Sequence, residues 1–169
     1  MVFAMRRGLG SLESRLGADI IVAPKEAASK YDLEEVLVEG VPRSFYMSRS
    51  YLDSIAARDG VEMVSGQYYL ATLKAGCCTM PVQVIGIDPE TDFTIQPWIA
   101  RSYSDTLGSH EVVAGCNITG APGTTILFYG VECTIVAKLD ETGTSLDNAV
   151  YATGETIKRL IKGSEEQGI

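Results

Sequence analysis

The chain has 169 residues, of which 46% are hydrophobic, and its formal net charge is −8 with a pI near 4.6. This length and apolar content suit one globular domain, with or without an inserted lobe. The negative charge excludes a nucleic-acid-binding protein, because phosphate recognition needs a positive surface, and it disfavours tight docking to anionic lipid. The sequence contains no apolar stretch of the roughly 20 residues that cross a membrane, and we find no signal-peptide pattern in it.

The N-terminal segment predicts one helix and two strands. Met1–Leu16 carries its large apolar residues near one helical face and is expected to form an amphipathic helix. The β-branched run Asp19–Ala23 stops at Pro24, so we expect a buried strand there. Glu34–Val38 predicts a second strand, closed by glycine and proline.

A second helix and a long strand are expected next. Ser48 or Ser50 is a capping residue for a helix that runs to about Ala57. Three residues of this helix are expected to face the core: Leu52, Ile55 and Ala56. After an Asp-Gly pair, Val61–Leu73 reads as a long strand.

The middle of the chain predicts a strand, a turn and a short helix. Val82–Ile87 is expected to be a strand, joined to the preceding one by a turn at Lys74–Pro81 that contains two cysteines. Asp88–Trp98 predicts a turn followed by an irregular aromatic segment. Ser102–Leu107 is expected to be a short helix.

The last third of the sequence predicts three strands and a terminal helix. Glu111–Ala114 is expected to be a strand, and Thr125–Tyr129 with Glu132–Lys138 should form a hairpin around Gly130. A helix is expected over Ser145–Lys162, because six residues form a helical stripe: Leu146, Val150, Thr153, Ile157, Leu160 and Ile161. The whole pattern indicates an α+β, or mixed α/β, domain without internal repeats.

Several stretches in a fixed order resemble the extracytoplasmic domain of MacB-like, or FtsX-like, ABC-transporter permeases. The segment Arg15–Pro24 is similar to the one that follows the first membrane helix in that family, and Gly143–Asp147 (Gly-Thr-x-x-Asp) to the one before the chain returns to the membrane. The most specific match is Ile85–Trp98. The other matching stretches are Gly40–Met47, Gly60–Val64, Gln67–Leu73, Cys77–Cys78 and Val82–Ile85.

The resemblance implies a single extracytoplasmic domain over residues 1–169 whose flanking membrane helices lie outside the sequence. It implies a periplasmic-core fold, with an α/β lobe from both chain ends and a smaller inserted β-rich lobe near 91–131. Both termini should then lie at the same end of the domain. The implied partners are a cytoplasmic ABC ATPase, a second permease copy, and an envelope protein or a transported substrate at the cell membrane.

Four cysteines carry the most distinctive chemistry: Cys77, Cys78, Cys116 and Cys133. The adjacent pair precedes Met80, and such soft donors suit Cu(I) or thiol exchange. The structural alternatives are a disulfide from one of the pair to either distant cysteine, or four buried thiols. No CxxC is present, which argues against a structural zinc site. A thiol-redox or soft-metal module of the envelope is therefore the alternative function.

Other candidate sites are weaker. His110 lacks a catalytic partner in sequence, and the acidic residues Asp88, Glu90 and Asp92 surround Pro89, which favours a solvated turn over a cation site. The sequence contains no P-loop and no Gly-x-Ser-x-Gly. We therefore expect a chain that is not an enzyme and holds no cofactor.

An aromatic and methionine cluster is a candidate interface. It consists of Phe45, Tyr46, Met47 and Tyr51, and Trp98 is added from the later aromatic segment. Such residues are favoured at protein interfaces. Burial in the core is the competing interpretation, because most large apolar side chains are buried.

Overall fold

A computed structural model describes residues 17–32, 35–36, 41–72, 78–79 and 81–168. The helices are α1 (Lys25–Lys30), α2 (Ser50–Ala56), α3 (Gln96–Ser102) and α4 (Gly154–Glu166), and a 3-10 turn covers Ser145–Asn148. The strands are β1 (Tyr68–Ala71), β2 (Gln83–Ile87), β3 (Glu111–Ala114), β4 (Thr125–Phe128), β5 (Val131–Lys138) and β6 (Ala149–Thr153). The predicted helix Met1–Leu16 lies outside the described residues.

All six strands form one mixed sheet in the order β1-β2-β6-β3-β5-β4. The pairs β2–β6 and β3–β5 are parallel, and the other three pairs are antiparallel. Helices cover the sheet, so the predicted α+β class is confirmed. Within the range 91–131, β3 and β4 belong to this common sheet, and an inserted lobe there stays a prediction.

The two faces of the sheet bury two separate apolar clusters, because successive strand residues point to opposite sides. One face carries Val84 and Val150 and packs against Ile157 and Leu160 of α4. The opposite face carries neighbouring residues of the same strands and packs against α3, with Ile85, Tyr151, Trp98 and Ile99 in contact. The sheet is thus the middle of three layers.

A bulge in β5 changes the face of the sheet on which the buried residues of this strand lie. The pairing of β3 with β5 shifts register between Val112 and Val113, so that Val112 lies opposite Ile135 and Val113 opposite Ala137. Ile135 therefore joins the cluster under α4, whereas Ala137, two residues on, joins the cluster under α3. Without the extra residue both would face the same side.

The sheet curls until its two edge strands approach each other. The hydroxyl of Tyr129, at the end of β4, donates to the carbonyl of Ala71 in β1. Thr79 donates its N–H to the carbonyl of Leu127 at 2.8 Å, and its hydroxyl accepts from the Leu127 N–H at 2.9 Å. Accumulated twist over six strands brings these edges together, and the 78–79 segment covers part of the β4 edge.

The predicted C-terminal helix is wrong in its first half. Residues Ala149–Thr153 form β6, which lies in the middle of the sheet between β2 and β3. The pattern of apolar residues led to the wrong prediction because β6 is buried on both faces. Such strands are apolar throughout and do not alternate apolar with polar residues. The hydroxyl of Thr153, not Ser145, caps α4.

The N-terminal segment also departs from the prediction. Residues Asp19–Ala23 form no strand in the structure and are mostly exposed, and Glu35–Val36, inside the second predicted strand, are helical. The predicted helix near Ser50 is confirmed, but Ala56 is exposed rather than facing the core. Packing decides these cases, since a β-branched run becomes a strand only beside a partner.

In the rest of the chain the strands are the better predictions. Those at Val82–Ile87 and Glu111–Ala114 and the hairpin around Gly130 are confirmed. Of the long strand predicted from Val61, only β1 is observed. A helix was expected at Ser102–Leu107, but the observed helix α3 precedes that range and ends at Ser102. Of the turn Lys74–Pro81, the structure describes residues 78, 79 and 81.

Candidate functional site

One buried carboxylate organises the loop that leads into β6. Oδ1 of Asp147 accepts hydrogen bonds from the N–H and the hydroxyl of Thr142 at 2.9 and 2.7 Å, and Oδ2 accepts one from the N–H of Gly143 at 2.8 Å. Gly143 has a φ of 70°, which glycine adopts without strain. Burial by itself raises the pKa of Asp147, but these hydrogen bonds outweigh it and hold the pKa below its ordinary value.

The same loop packs tightly on the end of β3. A Cβ at Gly115 would overlap the backbone carbonyls of Leu146 and Asp147, so the two segments can approach this closely only because residue 115 is glycine. The N–H of Gly115 donates to the Ala149 carbonyl at 2.9 Å, and the N–H of Asn117 donates to the Asp147 carbonyl at 3.0 Å. The loop and the end of β3 therefore form one hydrogen-bonded unit.

Helix α4 is held against the sheet at both of its ends. The Thr153 hydroxyl caps its first turn by accepting from the N–H three residues later. Near that end Gly86 of β2 lies so close to Ile157 that a Cβ would overlap the isoleucine side chain. Near the far end, Gly163 lies against the carbonyl of Tyr129 in the same way. Helix, central strand and loop can therefore move as one body.

A second buried carboxylate holds the start of α3. Asp92 accepts hydrogen bonds from five residues of two segments: Ser65, Gln67, Thr94, Ile95 and Gln96. The shortest is from the Ile95 N–H, at 2.6 Å. The expectation of a solvated acidic turn is thus wrong for Asp92, although Glu90 is exposed. The sequence did contain a signal for this role, because the carboxylate of an Asp can accept hydrogen bonds from the N–H groups two to four residues later.

The three cysteines that the structure describes do not come together in a metal-binding cluster. Cys116 and Cys133 are free thiols, so neither takes part in the long-range disulfide considered above. Cys133 is buried in the core, and burial raises its pKa to about 11. Cys78 is half-buried and its sulfur accepts the N–H of Tyr129 at 3.3 Å. Cys77 lies outside the described residues.

Cys116 lies beside Asp147 at the surface of the organised loop. Burial first, and then the negative charge of Asp147, raise the pKa of its thiol. Its sulfur contacts the side-chain oxygen of Asn117 at 3.7 Å. A thiol is reactive when its pKa is lowered, so this environment makes Cys116 a poor nucleophile.

The predicted aromatic interface is divided between surface and core. Tyr46 and Tyr51 are exposed, whereas Met47 is half-buried and Phe45 stacks on Tyr69 with ring centroids 4.8 Å apart. Trp98 is only 7% exposed and packs in the core under α3, so its assignment to an interface is wrong. It forms the buried side of α3, where a large apolar ring is most stable.

Tyr69 connects the aromatic cluster to the buried carboxylate of Asp92. Its hydroxyl donates to the side-chain oxygen of Gln67 at 3.1 Å. Burial, and then the negative charge of Asp92, raise its pKa to about 12. The edge of the sheet at β1 is therefore tied to the start of α3.

Neither a metal centre nor a membrane span is found in the part of the chain that the structure describes. No three His, Cys, Asp or Glu side chains come together there in a way that could hold an ion. None of the helices in that part is both long and apolar enough to cross a bilayer.

His110 has a φ of 67° and its ring nitrogen lies 3.1 Å from the Glu132 carbonyl.

Comparisons with known proteins find similarity in structure and not in sequence. No protein-family model matches the chain, and no curated protein matches it by sequence. Among solved structures, the extracellular domain of the noncanonic ABC-type transporter YknZ from Gram-positive bacteria is similar over 78% of this chain and 71% of that one. The sequence identity is 13% and the TM-score is 0.42.

Proposed function

We propose that this chain is the extracytoplasmic domain of a MacB-like ABC-transporter permease at the cell membrane. The observation that carries the proposal is the order and spacing of the matching stretches from Arg15–Pro24 to Gly143–Asp147, with Ile85–Trp98 the most specific. ATP hydrolysis belongs to a separate cytoplasmic subunit, because the sequence contains no phosphate-cradling loop. The chain itself is not an enzyme.

The domain's role is to turn ATP-driven movement in the membrane into movement outside it. A membrane helix that follows α4 would pull on α4, which continues directly from β6 in the centre of the sheet. The close contacts of Gly86 and Gly163 with their neighbours leave α4 little freedom to slide. The domain then shifts as a rigid body against a second permease copy, a substrate or an envelope partner.

The proposal is tested on the full-length protein in its own cells. We replace Asp53, exposed on α2, by cysteine and treat intact spheroplasts with a maleimide that cannot cross membranes. The Asp53→Cys protein should be labelled before lysis, and the unmodified protein gives the background of the native thiols. An affinity-purified sample should contain an ATPase subunit.

Two results contradict the proposal. Labelling of Asp53→Cys only after lysis places the domain in the cytoplasm. Purification without any ATPase, under conditions that keep membrane assemblies intact, removes the transporter assignment.

A further inference from the structure

One short motif of the sequence has no part in the proposed transporter role. Asn117-Ile118-Thr119 has the pattern Asn-x-Thr, which is the acceptor sequence for N-linked glycans when the middle residue is not proline. The sequence contains only two asparagines, and the other one, Asn148, is followed by alanine and valine. Asn117 is therefore the one candidate acceptor in the whole sequence.

The turn after β3 presents the two side chains of the motif that matter and buries the one between them. Asn117 and Thr119 are exposed, whereas Ile118 is 6% exposed and packs in the cluster under α4. The N–H of Ile118 donates to the Gly115 carbonyl at 3.1 Å, which closes the turn. The amide of Asn117 and the hydroxyl of Thr119 therefore both lie at the surface, where a glycan has to be attached.

The surface around Asn117 is polar. Its Nδ2 donates to Oδ1 of Asn148 at 3.0 Å, and its backbone N–H donates to the Asp147 carbonyl at 3.0 Å. The loop that ends at Asp147 also exposes Glu141 and Thr144. Glycosylation replaces one of the two hydrogens on Nδ2, so the remaining one can still donate to Asn148. A hydrated sugar chain can therefore be attached without loss of the contacts that hold the turn.

Helix α4 contacts the other end of β3. The N–H of His110, immediately before β3, donates to the Thr156 hydroxyl at 3.3 Å, whereas Asn117 follows the last residue of this strand. A strand rises about 3.3 Å per residue, so the four residues of β3 separate its two ends by roughly 13 Å. A glycan on Asn117 is thus attached at the end of β3 that is farther from α4.

We propose that Asn117 is an N-glycosylation site whose sugar donor is a glycan carried on a lipid phosphate. In the transfer, Nδ2 of Asn117 forms a bond to C1 of the first sugar, and the bond from C1 to the phosphate oxygen breaks. The lipid phosphate leaves with the electron pair, and the amide loses one proton. The Thr119 hydroxyl is the group by which the transferring enzyme recognises the acceptor. The inference rests on the proposed function, because this transfer takes place on the extracytoplasmic side of a membrane.

Mass spectrometry of the full-length protein, purified from its own cells, tests the site. Trypsin cuts after Arg101, Lys138 and Lys158, so the two asparagines fall on separate peptides, 102–138 and 139–158. The peptide with Asn117 should be heavier by a whole number of sugar residues and should release sugar ions on fragmentation. The peptide with Asn148 is the internal control and should have its unmodified mass.

Substitutions at the third position of the motif separate enzyme recognition from other effects. Thr119→Ala should abolish the added mass although Asn117 is still present, and Thr119→Ser, which keeps the hydroxyl, should retain it. Asn117→Gln should also remove the added mass. An unmodified peptide 102–138 in the parent protein, or an added mass that survives Thr119→Ala, would overturn the inference.

The failure of this inference is distinguishable from the failure of the proposed function. An unmodified peptide 102–138, found together with labelling of Asp53→Cys before lysis, overturns the glycan alone. Labelling of Asp53→Cys only after lysis overturns the transporter proposal, and the glycan with it, because the domain then never meets the donor.

Discussion

Asp147 shows how one side chain sets the shape of the loop before β6. We expect Asp147→Asn to destabilise the domain by about 1–3 kcal/mol, because an amide cannot accept the hydrogen bonds on both atoms and leaves a buried donor unpaired. Urea unfolding at neutral pH measures the loss. Asp140→Asn is the matched control, since Asp140 is an exposed acid of the same connection and should change stability little.

The pH dependence of stability should follow from the same carboxylate. The pKa of Asp147 is lower in the folded chain than its ordinary value, which it regains on unfolding. Its contribution is therefore fully present above the unfolded pKa of about 3.9 and is lost as the pH falls through the folded value. The parent chain should lose more stability than Asp147→Asn over this acidic window, and equal losses would refute the assignment.

The thiols of Cys133 and Cys116 provide a residue-scale test of their environments in the structure. Cys133 is buried and its pKa is raised to about 11, so it should react with a maleimide at pH 8 only when the whole domain unfolds. Cys116, with its pKa also raised, should react slowly. Mass spectrometry of the labelled peptides follows each site, and urea supplies the fully reactive control. Rapid native labelling of Cys133 would contradict its buried position.

At the scale of elements, the loop and β3 are joined by a contact that only glycine permits. Gly115→Ala should destabilise the domain by roughly 1–3 kcal/mol, because the added methyl meets two rigid backbone carbonyls. The matched control is Gly154→Ala in the first turn of α4, where a Cβ meets nothing within 4 Å. That substitution should be neutral or stabilising by up to about 1 kcal/mol. Thermal unfolding compares the two, and a neutral Gly115→Ala would show that the loop can move away.

The strands and turns with strong local signals were predictable from the sequence, and the remaining elements were not. The hairpin around Gly130 and the strand Glu111–Ala114 carry their own turn and β-branched signals. The segment Ala149–Thr153 carries no such signal. It is buried on both faces of the sheet, so its residues are mostly apolar and do not alternate with polar ones. Asp92 shows the same limit for the site in part: its bonds to the start of α3 are local and could be predicted, whereas those to Ser65 and Gln67 join residues distant in sequence.

At the scale of the whole molecule, the proposed role predicts an inert domain. Calorimetric titration with ATP should give no saturable heat, and the purified chain should hydrolyse neither ATP nor simple esters, because a P-loop and a nucleophile–base pair are missing from the sequence. The cognate ATPase subunit supplies the positive control. Saturable binding, or turnover abolished by a single substitution, would count against the transporter proposal.

The central position of β6 has a consequence for how the chain is made. β6 is the last strand of the described sheet to be synthesised, yet it joins β2 to β3, and its partner in β2 is far away in sequence, with Gln83 opposite Ala149. Until it leaves the ribosome, the halves of the sheet on either side of it cannot combine, and such long-range parallel pairing is slow. A growing chain therefore cannot complete this sheet before β6 has been made. Under the proposed extracytoplasmic role, the incomplete sheet keeps the chain able to pass through a translocation channel until that strand emerges.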